Sequence, residues 1–466
     1  MSGPCRIHGA QQTFRDRRVL VSRWSLVHEF CSSLPGKWVR HDFKISTLLA
    51  REHLGKEKLP WKADVVIVGA GIAALALAIE LQKKGISTIL LERQKSPEGI
   101  PRGLTFQPNG LAVLERLGAL GRAREVGSAS QILEVKSWEG EVLLEADYSL
   151  LDHPQNYLLT ANATELERLL VYVAEQAGAQ VLWGASFQEL LLNAGRAEGV
   201  VYESEGVRDE VRAPVVVGAD GPQSHVRTSL GVEVKTKKYP DSFLVGLVGP
   251  VPGLEGRARQ YQHPGKMLGI MPSGPDATYL FHCVGPRSFD SVKKEGLGSF
   301  RAEVVQAAPE MADAFTGVEA WTKMAYFTPS FMQVNKWVGN GIALLGDSAH
   351  TFHPHAGQGV NLALEDAVVL AEVIEKCKIA GDFSQTALLE YQTQRKVRAD
   401  VIGKHANYTV TYALSDNWLI KRLNKRALHK LNKDKKLQKK ALEITAGIFE
   451  KKPGLVALAK IGGILP

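Results

Sequence analysis

Hydrophobic positions along the chain fall into three short unbroken runs among many alternating or helical stretches. Residues 65–68, 215–217 and 342–345 are apolar without interruption. Runs of that length, bounded by turn residues, predict strands buried on both faces. Each run feeds a glycine-bearing polar loop and then a helical pattern. After the first comes a helix over 75–84, closed by Gly85 as a left-handed cap, and a second strand over 87–91 ending in Glu92. After the second comes a short helix. After the third an amphipathic helix starts near Leu362 and runs to about Ala380.

Between these units the pattern changes. Leu111, Leu114, Leu117 and Leu120 mark one helical face. Residues 132–138 and 141–146 predict two strands joined by a turn at Glu139-Gly140. A helix over 164–176 is expected, with Thr164 as its cap and Glu167 completing a capping box. Stretches 181–183, 199–203 and 210–212 alternate like edge strands of a smaller sheet. Stretches 243–248, 267–271 and 278–283 predict antiparallel strands, and 290–316 a helical region. Residues 325–337 predict strand and loop, and 388–412 and 416–440 two more helices. In the last of these Trp418, Leu419, Leu423, Leu428 and Leu431 alternate with Lys/Arg.

Length and composition narrow the class. The 466 residues, 45% hydrophobic and 23% charged, suit an ordinary globular protein of two or three domains. No apolar run reaches the ~18 residues of a membrane span. The N-terminus lacks a secretory h-region. Cys5, Cys31, Cys283 and Cys377 are scattered, which argues against a zinc or disulfide framework and suits a cytoplasmic protein. The net charge of +8 is local: residues 417–466 hold 13 Lys/Arg against 3 Asp/Glu, and the rest is nearly neutral. A nucleic-acid function is therefore not expected. The basic tail admits two readings, a packed helix with a solvated face or peripheral contact with an anionic membrane. Residues 1–62 are Arg-rich with weak periodicity and read as a poorly ordered extension, a transit-like peptide being the alternative.

Three motifs carry the chemistry. Gly69-Ala70-Gly71-Ile72-Ala73-Ala74 is a GxGxxA fingerprint in its required context of strand, turn, helix, strand and acid. Gly69 makes the turn, Gly71 admits the pyrophosphate, Ala74 lets helix and sheet approach, and Glu92 suits ribose hydroxyls. The second motif is Gly218-Ala219-Asp220-Gly221, followed by Ser224 and Val226-Arg227. The third runs from Gly346-Asp347 through His350, His353, Pro354, His355 and Gly357-Gln358-Gly359-Val360 to Asn361, with Asp366 beyond. Its three histidines lack the carboxylate or cysteine that would complete a metal set, so no metal is expected.

In this order and spacing the motifs resemble those of the class A FAD-dependent monooxygenases, the p-hydroxybenzoate hydroxylase-like aromatic hydroxylases, over residues 63–380. The resemblance implies a GR2-type Rossmann-like α/β FAD domain, an inserted, mostly antiparallel substrate sheet, and a C-terminal helical region. The boundaries expected are 63–235 and 326–385 for the FAD domain, the former with substrate-sheet strands interleaved. The substrate domain is expected over 236–325 and the C-terminal helices over 386–466. It implies FAD as cofactor, NADPH or NADH as transient reductant, O2, and oxygen transfer to an aromatic or polycyclic, apolar small molecule through a C4a-hydroperoxyflavin. Carried over residue by residue, it places Pro354, His350, Gly357 and Gly359 beside the chemistry. Gly69, Gly71, Ala73, Ala74, Glu92, Arg93, Arg102, Asp220, Asp347, Gln358, Val360 and Asn361 join Gly357 and Gly359 around the cofactor. Many members carry an Arg where this chain has Ala163, which leaves Arg102 as the basic candidate. A reductase of the geranylgeranyl-reductase type and a non-catalytic flavin-fold binding protein are the alternatives.

Overall fold

The computed structural model describes residues 61–97, 102–449 and 461. The expectation for residues 1–62 falls almost wholly outside them. Order is already present at Trp61–Lys62, a strand paired parallel with Val207–Arg212.

The apolar runs lie in a six-stranded sheet. Its order is Val338–Gly339, Ile342–Leu344, Val215–Gly218, Val65–Val68, Thr88–Glu92, Gln180–Trp183. All pairs are parallel except the first. Val65, Val66, Ile67, Val215, Val216 and Val217 are fully buried, as two covered faces require. The helices Ile72–Lys83, Gly359–Ala380 and Ala163–Gln176 pack beside this sheet in one core. From Val65–Val68 the chain crosses to Thr88–Glu92 on one side, while Val215–Gly218 lies on the other. Such a reversal opens a crevice at the carboxyl ends of the strands. All three glycine loops leave the sheet at that edge.

A seven-stranded sheet faces a second core. Its order is Met324–Phe327, Ser242–Val248, Thr278–Gly285, Lys266–Pro272, Arg257–His263, Ile132–Ser137, Val142–Asp147, with one parallel pair, Arg257–His263 with Ile132–Ser137. Side chains alternate between its faces. Leu244, Leu268, Ile270 and Leu280 pack on one side with Phe300 and Val304 of the Leu297–Ala307 helix. Phe243, Val245, Met267 and Cys283 cluster on the other, with Tyr279 and Phe281 against them.

Several expectations are corrected. Gln180–Trp183 extends the parallel sheet beside Thr88–Glu92 and does not join the smaller one. A half-buried edge strand alternates the same way in either sheet. Asn162, not Thr164, caps the Ala163–Gln176 helix, its side chain accepting the Thr164 N–H at 3.0 Å. Glu167 consequently reaches Arg102, at 3.8 Å, and closes no capping box. The 290–316 region splits at Gly296, whose φ of +87° ends Phe289–Glu295 and precedes Leu297–Ala307. The helix expected over 416–440 breaks at Asp434, whose carboxylate accepts the Leu437 N–H and starts Lys435–Thr445 after Trp418–Lys433. Among the described residues no helix is long and apolar enough to cross a membrane.

Candidate active site

The first loop is built from backbone. Gly69 has φ +104°, and a Cβ there would lie 2.4 Å from the Ala219 carbonyl oxygen. Only glycine lets the first and second loops meet so closely. Gly71 precedes the Ile72–Lys83 helix, which has no side-chain cap and no acid in its first turn. Its opening N–H groups therefore remain available to an anion. Ala74 is buried, and Ala73 lies 3.7 Å from where a Cβ on Gly346 would stand, bringing the first and third loops together. Glu92 ends its strand at the rim, accepting the Ala70 N–H on one oxygen and the Gln94 N–H on the other, both at 2.9 Å. Arg93 is exposed, with no polar partner among the described residues.

The third loop is built from side chains, and most of them turn away from the crevice. His350 is 2% exposed and bonds through Nε2 to Asp366 Oδ2 at 2.6 Å. Arg395 donates from Nε to the other oxygen of Asp366 at 2.6 Å, and also to Glu365 and the Leu362 carbonyl. Burial raises the Asp366 pKa, but Arg395 and His350 outweigh it and hold the carboxylate below its ordinary range. His350, expected beside the chemistry, thus lies in the core, because a buried carboxylate demands its partners there. Gln358 also points inward: Asn109 donates to it at 3.1 Å, and it donates to the Thr445 carbonyl at 2.6 Å. Asn361 accepts the Gln107 N–H at 3.0 Å and donates to the Gly357 carbonyl at 2.6 Å.

What the third loop leaves toward the crevice is its backbone, Pro354 and Asp347. Pro354 is exposed, and Gly357 has φ +60°. The Gly359–Ala380 helix begins, like the first, with no side-chain cap and no acid in its first turn. Gly359 and Val360 form that start. Asp347 is exposed, although protein atoms crowd around its carboxylate. That surrounding raises its pKa, against the pull of His350 and Arg102.

Asp220, in the second loop, spends its carboxylate on neighbours. One oxygen accepts the Ser224 and Ser348 hydroxyls at 2.5 and 3.2 Å, the other the N–H groups of His225 and Val226. It pins the second loop to the third through Ser348. Arg227 adds a bond to the Ser348 carbonyl at 3.0 Å. Ser348 was missed as a site residue, although it stands inside the third motif. Arg395 was also missed, and no local pattern marks it.

Arg102 is exposed and immediately precedes the Gly103–Phe106 strand. Its charge acts on Glu167, Asp347 and Tyr279. Its carbonyl accepts the Ala163 N–H at 2.8 Å, so it neighbours Ala163. The adjoining wall is apolar. Tyr279 covers Gly103, where a Cβ would lie 2.2 Å from it, and Phe281 covers Gly269 at 2.0 Å. Phe243 stacks on Phe327 at 5.6 Å. His355 meets this wall, its Nδ1 3.3 Å from Met267 Sδ. Burial, with His353 and His405 nearby, lowers its pKa to about 3, and burial lowers that of His405 to about 4. Nearby, Phe331 packs on Phe352 with ring centroids 6.4 Å apart.

Comparison with known proteins gives the family and the fold. The family described as FAD binding domain matches residues 62–405. The chain is 29% identical over 350 residues to a 6-methylpretetramide 4-monooxygenase of Streptomyces rimosus, covering 73% of this chain and 83% of that protein. It is 28% identical over 345 residues to the ubiquinone hydroxylase UbiL of Rhodospirillum rubrum, covering 72% and 78%. The p-nitrophenol 4-monooxygenase PnpA of Pseudomonas putida shares the fold, with a TM-score of 0.74 at 18% identity, over 84% of this chain and all of that one. PqsL of P. aeruginosa, solved in complex with 2-aminobenzoylacetate, superposes with a TM-score of 0.65 at 26% identity, over 84% of this chain and all of that one. A chain three-quarters spanned by this family, with its glycine loops meeting at the switch point of a parallel sheet, belongs to the FAD-dependent aromatic monooxygenases.

Proposed function

We propose that the protein is a single-component monooxygenase that uses FAD, NAD(P)H and O2 to hydroxylate or epoxidise an apolar aromatic or polycyclic small molecule. The observation that carries this reading is the juxtaposition of two chemistries. A crevice with two uncapped helix starts and the exposed Asp347 adjoins an apolar wall of Tyr279, Phe281, Phe243 and Met267. The donor set fits a dinucleotide bearing a flat ring. The start of Ile72–Lys83 suits the pyrophosphate, Glu92 the ribose and Asp347 the ribityl hydroxyls. The start of Gly359–Ala380 would offer N–H groups and a positive dipole end to an anionic ring.

FAD, when bound, supplies the redox and oxygen chemistry; the chain supplies position, polarity and dryness. Arg102 balances anionic charge near the ring. Pro354 closes the loop over the site without offering an N–H donor. His350, Gln358, Asn361 and Asp220 act as positioning residues that hold the loops. His355, neutral over the working pH range, presents an uncharged edge to the apolar wall. The cofactor domain is read as 63–235 with 326–385, and the substrate domain as 236–325.

The test is substrate-stimulated NAD(P)H oxidation by the FAD-loaded protein with a panel of aromatics, together with incorporation of one atom from labelled O2. Reduction of a substrate under anaerobic conditions, with no O2 consumed in air, would overturn the proposal.

A further inference from the structure

We propose that the outward face of the Trp418–Lys433 helix docks the protein on an anionic lipid bilayer, beside the apolar wall of the site. This helix holds six Lys/Arg and no Asp/Glu. Its inward side, with Ala427 and Leu431 buried, packs toward the Val142–Asp147 strand. At 100° per residue, Trp418, Arg422, Lys425, Arg426 and Lys433 share the opposite side. Trp418 is 69% and Leu419 49% exposed. Lys425 pairs with Glu141. Lys421, Arg422, Arg426 and Lys433 have no carboxylate partner among the described residues.

The position of this face gives it a use. Ala413 and Leu414 end the preceding helix, Gln385–Leu414, and pack into the cluster of Phe243, Val245, Met267 and Cys283. The Leu414 carbonyl accepts the Gly265 N–H at 2.9 Å. Four residues later the chain exposes Trp418. An apolar substrate dissolved in the bilayer would meet the protein at the edge of that wall. This use rests on the monooxygenase reading; the docking itself does not.

Charge decides between occupants. Residues 1–60 carry 11 Lys/Arg against 5 Asp/Glu, so like charge disfavours them as a cover. A second copy would present the same sign. Nucleic acid would use the cations alone. The exposed Trp-Leu pair adds the interfacial anchor that a bilayer rewards.

The test is co-sedimentation of the full-length, FAD-loaded protein with vesicles of phosphatidylcholine alone and with phosphatidylserine added. Binding should require the anionic lipid and weaken with salt. Each cation near such a surface contributes roughly fivefold in partitioning, so the triple variant Lys421→Gln, Arg422→Gln, Arg426→Gln should bind on the order of a hundredfold more weakly. A blue shift of tryptophan emission on vesicle addition should diminish in Trp418→Phe. Equal partitioning of wild type and triple variant, equal binding to both vesicle types, or tighter binding to a single-stranded oligonucleotide with no vesicle-induced shift would overturn the proposal. NAD(P)H oxidation by the triple variant without vesicles should match wild type. Anionic-lipid binding by a protein that never consumes O2 would leave the docking standing and remove the oxygenase reading.

Discussion

The first and third loops face the same crevice, and both end in an uncapped helix start, yet they are held by opposite means. The first is fixed by backbone: Gly69 meets the Ala219 carbonyl so closely that no side chain fits. The third is fixed by side chains that leave the crevice: His350 to Asp366 and Arg395, Gln358 to Asn109 and Thr445, Asn361 to Gln107 and Gly357. Residues that dominate a motif can thus shape a site from behind. A short loop between buried strands is positioned by the sheet itself. A sixteen-residue loop has no such frame and needs a buried polar network to hold it.

That contrast can be broken experimentally. The largest effect is expected from Arg395→Met, which leaves the buried Asp366 with His350 alone. Loss of a partner from such a cluster costs about 3–5 kcal/mol, so the thermal midpoint should fall and flavin absorbance per chain with it. Unchanged flavin content would show that the third loop does not depend on the network. Gly69→Ala comes next, at about 3 kcal/mol, from the strained φ and the clash with Ala219, read by the same two measurements.

The acid dependence of stability sharpens the comparison further. His355 and His405 have folded pKa values of about 3 and 4, below the ordinary value near 6.5. Between those limits the unfolded chain binds more protons, so the neutral histidines stabilise the fold fully above pH 6.5 and lose that contribution as pH falls. The slope approaches about 1.4 kcal/mol per pH unit for each histidine. Denaturant titrations from pH 7 to 5 should show it, and His405→Gln should flatten it. The depressed Asp366 carboxylate contributes above its ordinary pKa and loses that contribution only on further acidification through its lower folded value.

The smallest stability effect belongs to the residue with the most direct proposed role. Because its surroundings already disfavour the charged form, Asp347→Asn should change the stability of FAD-free protein by less than about 0.5 kcal/mol, and upward. FAD affinity should fall by about tenfold or more through loss of a charge-assisted bond, measured by flavin fluorescence titration. A large loss of stability in the FAD-free protein would place Asp347 with the network and not with the cofactor.

Much of the parallel sheet was legible because its signals are local. Unbroken apolar runs, a glycine after each and a helical period beyond it are written within about twenty residues, and so are Gly69, Gly71, Glu92 and Asp347. Elements without such punctuation were not legible. Gly103–Phe106 and Gly127–Ser130 are strands only because Leu158–Asn162 runs between them, and Gln180–Trp183 takes its sheet from its neighbour Thr88–Glu92.

By itself the sequence determined the order of the three loops, their glycines and the family they belong to. The tertiary structure alone decided which polar residues face the crevice. His350 finds Asp366 across 16 residues, Arg395 finds it across 29, and Asn109 finds Gln358 across 249. Periodicity reports which side of an element is buried, since that depends on neighbours one or two turns away. It carries no record of the partner a buried polar group will meet. That partner is chosen by how sheets and helices come together, under the requirement that no buried charge be left alone.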